Sequence, residues 1–243
     1  RRRAKIPPEV GFQTKPELAA RLCEQAASWQ VPTAPLLADA AYGNDSGFRH
    51  ALTALGLTYV ASVQAETGFF TPETSFEAPL RRTGPGRPGS RLKADREPES
   101  ALDLARSLPE TAFQMLPGRT TPAGKEIEGR FAFLRVVAAH PVLRDHEPPQ
   151  PEWLIIEWPE GSPEPTDYWL SNLPENEPLE RLARLARLRW TIELDYRQLK
   201  GELGLDHYEG RSYVGFHHHC ALVTLAHAFL TLERLNPKAQ RPV

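Results

Sequence analysis

A chain of 243 residues that is 40% hydrophobic and 25% charged has the make-up of a folded globular protein, which excludes a disordered polymer and leaves room for one large domain or a core with an insertion. Its net charge of −2 excludes a uniformly basic nucleic-acid binder, so any nucleic acid would have to be held by local basic patches. The longest apolar run, "CALVTLAHAFLTL", is shorter than the roughly 20 residues of a typical membrane span and contains His227. It predicts a buried helix and no membrane partner.

From the amino terminus, "RRRAKIPPEV" has neither an initiator methionine nor a secretory signal, and Met115 is the only methionine, which suggests a fragment of a longer protein. In "TKPELAARLCEQAASWQ", Thr14 and Glu17 form a capping box and predict a helix over about 15–29. "APLLADAAYG" is a short apolar run between helices, the mark of a buried parallel strand, with Asp39 near its carboxyl end. A second helix over about 46–55 leads through Gly56 into "TYVASVQA", a strand-like run rich in β-branched and aromatic residues. This alternation predicts an α/β core over 1–65.

Beyond it Pro and Gly are dense through "RRTGPGRPGSR", while "AFQML", "GRFAFLRVVAAH", "EWLIIEWPE" and "DYWLSNLP" read as strands. Residues 66–175 are therefore expected to form a β-rich insertion carrying a basic Pro/Gly loop, with Trp153, Trp158 and Trp169 in its core. Helices resume over 176–243, from Pro178 through Leu203 and from about Gly215 to Leu232. No internal repeat is visible. Cys23 and Cys220, far apart within expected helices, suggest no disulfide or zinc framework and fit a reducing cytosol.

Charge is strongly segregated along the chain. Arg81 to Arg96 holds six basic residues against one acid, Arg144 to Glu180 ten acids against one base, and Arg181 to Lys200 six bases against two acids. The third block contains "RWTIELDYRQLKGELGLDHYEGRS". There Glu193 lies four residues from Arg189 on one side and from Arg197 on the other, with Lys200 three further on. On a helix these four residues share one face, and Ile192, Tyr196, Leu199 and Leu203 form a separate apolar stripe that can pack on a core.

Spacing alone leaves two readings of that row open. Acid–base neighbours at i and i+4 stabilise a helix by about 0.2–0.5 kcal/mol, for which one arginine suffices. In the other reading the carboxylate ligates a divalent cation and the flanking cations hold phosphates, as phosphoryl-transfer chemistry needs. Asp39 is open in the same way, as a turn former or helix cap or as a ligand at the carboxyl end of a strand in an open sheet. His217, His218 and His219 point to different sides of a helix and, with His207, read as surface or packing residues. The "PGRPGSR" stretch reads as a solvated basic loop rather than a minor-groove arm.

The order of "LADAAYG", a long β insertion, the row around Glu193 and "HHHCALVTLAHAFLTLE" resembles the RNase H-like DDE transposases of bacterial insertion sequences. One large group of these carries its third catalytic acid in a tyrosine, arginine, glutamate, lysine signature with intervals of two, three and six residues. Arg189, Glu193 and Lys200 match those intervals, while the tyrosine position falls on Ala186. The resemblance covers nearly the whole chain.

It implies an α/β, RNase H-like core, incomplete at its amino terminus, divided as 1–65 partial core, 66–175 insertion and 176–243 carboxyl-terminal core helices. The implied activity is metal-dependent strand cleavage and transfer at insertion-sequence ends. Asp39 and Glu193 would be catalytic ligands of Mg2+ or Mn2+. Arg189, Arg197 and Lys200, with Arg81, Arg82 and Arg87 of the basic loop, would bind phosphates of double-stranded DNA, as transposon ends and as target. A homodimer in the DNA complex and a place in the bacterial cytoplasm with the nucleoid follow from the same resemblance. The triad's first aspartate belongs on a strand ahead of "LLADA", and Glu9, Glu17 and Glu24 are no substitute for it. The chain alone is therefore expected to be inactive, with an unpaired sheet edge beside that strand. Two alternatives are a catalytically dead DNA-binding or regulatory fragment and a Mg2+-dependent nuclease of the same fold.

Overall fold

The computed structural model of the protein describes residues 2–77, 92–120, 126–139 and 150–236. The chain divides into two compact units, one running from Gln13 to Arg189 and one made of Arg1–Phe12 with Trp190–Val243.

In the first unit, α1 (Lys15–Ser28) starts at the expected capping box, the Thr14 hydroxyl accepting from the Glu17 N–H and the Glu17 carboxylate accepting from the Thr14 N–H at 2.7 Å. This satisfies two of the donors that a helix start leaves open. Strand β1 (Leu36–Ala38) is shorter than its apolar run suggests, because Asp39 turns the chain into a one-turn helix, α2 (Ala40–Gly43). Helix α3 (Ser46–Ala54) is capped by Asp45, which accepts from the Phe48 N–H at 2.7 Å. It ends through Gly56, whose φ of 69° is the left-handed conformation that glycine adopts without strain.

Strand β2 (Tyr59–Val63) then pairs parallel with β1, Leu36 opposite Tyr59 and Ala38 opposite Ala61. There follow β3 (Gly68–Phe70), β4 (Phe76–Glu77), β5 (Lys93–Ala94), β6 (Glu99–Ser100), α4 (Ala101–Ser107), β7 (Gln114–Thr120), β8 (Glu126–Ala138), β9 (Glu152–Glu157), β10 (Asp167–Ser171) and α5 (Leu179–Leu188).

Among the described residues the main sheet has eight strands, ordered β1-β2-β10-β9-β8-β3-β6 with β7 also on β8, while β4 and β5 form a separate ribbon. Among the described residues only the β1–β2 pairing is parallel. The strand-rich middle of the chain does not fold apart from the α/β start: β10 lies directly on β2, with Tyr168 opposite Val63 and Ser171 opposite Val60.

Alternation along the strands sorts the core onto two faces. Leu154, Ile156, Tyr168 and Leu170 pack with Ala101, Leu104 and Ala105 of α4. Their neighbours Trp153, Ile155 and Trp169 turn the other way onto Leu182, Ala183 and Ala186 of α5. The β2 residues Tyr59 and Ala61 share a third cluster with Phe48 and Leu52 of α3 and with partly buried Ala19, Ala20 and Cys23 of α1. Trp158 closes the sheet's end edge-on to Phe113, at 5.7 Å between ring centres.

The second unit contains α6 (Trp190–Gly201) and α7 (Tyr213–Leu235). They are joined by Arg234, which donates to the Gln198 side chain at 3.0 Å, and by His227, 3.8 Å from Asp195. Two expectations change here. The helix expected from Pro178 through Leu203 is interrupted, since α5 stops at Leu188 and Arg189 stands between it and α6. The helix of "CALVTLAHAFLTL" is not buried either: Val223 is its only buried residue, and Leu222, Leu225, Phe229, Leu232 and Leu235 are exposed. Among the described residues no helix is long and apolar enough to cross a membrane.

Candidate functional site

Asp39 is the first residue past β1, at the carboxyl end of the parallel pair, where ligands of open α/β sheets bind. Its exposed carboxylate also caps α2, Oδ1 accepting from the Ala41 N–H at 2.9 Å. The two readings that the sequence left open are thus compatible, because a carboxylate has about four acceptor sites and this bond uses one.

The turn that carries Asp39 is clamped by residues that sequence reasoning passed over. Gly43 lies so close to β2 that a side-chain carbon there would collide with the Ser62 carbonyl. Arg49, buried, donates to the Gly43 carbonyl. The Asn44 side-chain oxygen accepts from the Gln64 N–H at 3.2 Å and the Thr67 hydroxyl at 3.0 Å, tying the segment after β2 to the end of α2. A glycine followed by asparagine after a strand-like run was a legible turn signal. Nothing in the sequence marks Arg49.

At the opposite, amino-terminal end of β2, the Tyr59 phenol donates to the Glu152 carboxylate. Burial pushes Glu152 above the usual carboxylate range, against the hydrogen bond from Tyr59 and the pull of Arg49 and Arg135. Burial and the neighbouring Glu152 likewise push the Tyr59 phenol up. This network supports the sheet from the end away from Asp39.

Glu193 lies in the first turn of α6, where a carboxylate also meets the positive end of the helix dipole. Glu193, Arg197 and Lys200 are exposed on that helix, at spacings that put them on one face. Arg189 is not on α6; it is the cap residue that ends α5. The apolar stripe beside the row is not packed in a core: Ile192 is 36% exposed and Tyr196 51%, and the Lys200 ammonium sits 5.7 Å from the centre of the Tyr196 ring. Ala186, at the signature's tyrosine position, is buried in a cluster with Val60, Leu116, Phe131 and Leu182.

Asp39 and Glu193 belong to different units. Among the described residues no three His, Cys, Asp or Glu side chains come close enough to hold a metal ion by themselves. Arg81, Arg82 and Arg87 lie outside the described residues. At the described end of the basic stretch, Arg96 pairs with Asp95 at 3.2 Å and donates to the Thr71 hydroxyl at 3.3 Å, and Lys93 is exposed. Of the histidines, His219 bonds the Gly204 carbonyl at 2.9 Å and His217 packs on Tyr213 with ring centres 4.2 Å apart.

The family described as DDE superfamily endonuclease matches residues 1–121, a stretch that includes Asp39. The match supports a DDE-type nuclease or transposase family, and the mixed α/β architecture is compatible with an RNase H-like fold. No curated protein matches the chain.

Proposed function

We propose that the chain is the catalytic part of a DNA transposase that cleaves and joins strands at the ends of a bacterial insertion sequence, with Asp39 and Glu193 as ligands of Mg2+ or Mn2+. The observation that carries this reading is the position of Asp39, exposed at the carboxyl end of a parallel strand pair within the residues that match DDE superfamily endonucleases. Such nucleases generally use divalent metals. The donor chemistry fits, since Mg2+ prefers hard carboxylate oxygens, takes only one or two of them and fills its remaining positions with water and substrate phosphates.

A bound ion would supply Lewis-acid activation of the attacking hydroxyl and stabilisation of the leaving oxygen. Asp39 and Glu193 would hold it. Arg189, Arg197 and Lys200 would fix phosphates, because an arginine stays protonated and offers a fork of donors instead of proton chemistry. Arg81, Arg82 and Arg87 would extend that grip along double-stranded DNA, at transposon ends and target. A homodimer in the DNA complex, at the bacterial nucleoid, completes the reading.

The test is nicking of insertion-sequence-end DNA by the full-length protein with Mg2+, run beside a gel shift without metal. Asp39→Asn and Glu193→Gln should each lower nicking about a thousand-fold, the rate equivalent of several kcal/mol of lost metal-borne stabilisation, and leave the gel shift intact. Arg189→Ala should weaken the gel shift. Wild-type nicking by Asp39→Asn and Glu193→Gln overturns the assignment.

The cap formed by Asp39, which gives that carboxylate a role without a metal, carries a second reading. In it the protein occupies DNA ends without cutting them. That reading requires duplex binding and no Mg2+-dependent nicking by the wild type, whereas nicking without joining would point to a nuclease of the same fold.

A further inference from the structure

Within the unit formed by residues 1–12 and 190–243, a shallow cleft of about 280 Å³ is lined by Ala4, Ile6, Tyr208, Arg211, Tyr213 and Phe216. Its aromatic wall is built before any ligand arrives. The Tyr208 ring has room only because residues 210 and 215 are glycines, where a side-chain carbon would collide with the phenol. The Tyr208 hydroxyl donates to the Ser212 carbonyl at 3.0 Å. The ring stands edge-on to Phe216 at 5.9 Å and beside His219 at 5.5 Å between centres. Phe216, half of this wall, remains 48% exposed.

One cation, Arg211, lines the cleft, and a second, Lys5, lies on the segment that lines it. Arg211 is exposed, and so is Lys5, which lies between the lining residues Ala4 and Ile6 with a φ of 52°, a conformation a lysine rarely adopts. Glu209 is the only acid from Tyr208 to Phe216. Flat π-surfaces and the lining guanidinium of Arg211 suit a ligand with an aromatic face and a negative charge. The volume suits one planar ring system rather than a duplex.

We propose that this cleft binds one unpaired nucleotide of a DNA strand, the base against Phe216 and Tyr213 and the phosphate toward Arg211 and Lys5. The choice of DNA rests on the function proposed above. Base–aromatic stacking contributes about five-fold to a hundred-fold in affinity per base and is tolerant of sequence.

The experiment measures binding of the full-length protein to a fluorescein-labelled oligothymidylate and to an abasic oligonucleotide of equal length, by anisotropy without metal. The wild type should prefer the oligothymidylate. Phe216→Ala should weaken oligothymidylate binding about ten-fold and abolish the preference, and Phe216→Leu, which keeps an apolar side chain but no ring, should do the same with the helical circular dichroism unchanged. Arg211→Ala should weaken both probes alike and reduce the slope of log K against log salt by about one. Equal wild-type affinity for the two probes, or full affinity in Phe216→Leu, overturns the proposal. The active-site reading fails separately: unaltered nicking by Asp39→Asn would sink it and leave this preference untouched.

Discussion

The unit from Gln13 to Arg189 and the helices of the unit that holds Glu193 use apolar residues in opposite ways. In the first, strands β9 and β10 bury nearly every side chain, with Leu154, Ile155, Ile156 and Leu170 fully inside, because a ladder satisfies its backbone through neighbouring strands and leaves both faces free to pack. In the second, α6 has no buried residue and α7 has one, Val223. A helix satisfies its own backbone, so it can persist with an apolar surface turned outward. Asp39 therefore stands on a densely buried scaffold, and Glu193 on a helix with no buried residue.

The sharpest way to break this comparison is at the buried pair of the sheet unit, where the Arg187 guanidinium meets the Glu157 carboxylate through two nitrogens, one at 2.9 Å, and lies over the Phe131 ring. Arg187→Ala leaves Glu157 buried without that charge and should cost about 3–5 kcal/mol in urea unfolding. A cost below about 1 kcal/mol would mean that the sheet unit is looser than its burial implies. Next in size is a matched pair of truncations. Leu154→Ala should cost about 2–5 kcal/mol and Leu225→Ala, on the exposed side of α7, no more than about 0.5 kcal/mol. Similar costs at the two sites would erase the contrast.

A smaller effect depends on pH. Because burial raises the Glu152 carboxyl above its ordinary value of 4.5, the folded state binds this proton more tightly than the unfolded chain. The stability it contributes is complete below the unfolded value and is lost as pH rises through the folded one. Glu152→Gln keeps an acceptor for the Tyr59 phenol and cannot ionise. Its stability relative to wild type should therefore rise as pH increases from about 4.5, and a constant difference across pH would contradict the assigned cause. The smallest effect is expected at Tyr168, whose buried hydroxyl has no hydrogen-bond partner among the described residues and whose pKa burial pushes up to about 12. Tyr168→Phe should be neutral or stabilise by up to about 1 kcal/mol in thermal unfolding.

Much of the sheet unit was legible in the sequence. The Thr14 capping box, the β-branched run of β2 and the strand-like runs of β8, β9 and β10 are local signals, and local hydrogen bonding and burial obey them. The second unit was less legible for equally local reasons. The composition of α7 records how apolar the helix is and not whether anything covers it. The interruption at Arg189 carries no proline or glycine to announce it. At the position of the missing signature tyrosine, Ala186 lies on the buried face of α5, in one cluster with Phe131 and Leu116, and that burial is visible only in three dimensions. For the candidate site, sequence placed Asp39 at its strand end, but the clamp of Gly43, Asn44 and Arg49 around it depends on contacts with β2 and the segment that follows.

Asp39 ends a strand and starts a helix with the same carboxylate, and this fixes how its chemistry can be separated from its architecture. Asparagine caps a helix about as well as aspartate, whereas alanine forfeits the bond to the Ala41 N–H at a cost of about 1 kcal/mol. Asparagine and alanine at this position remove the same negative charge and only alanine loosens α2. The pair thus carries its own internal control: an activity lost equally in both belongs to the anion, and one lost only with alanine belongs to the turn.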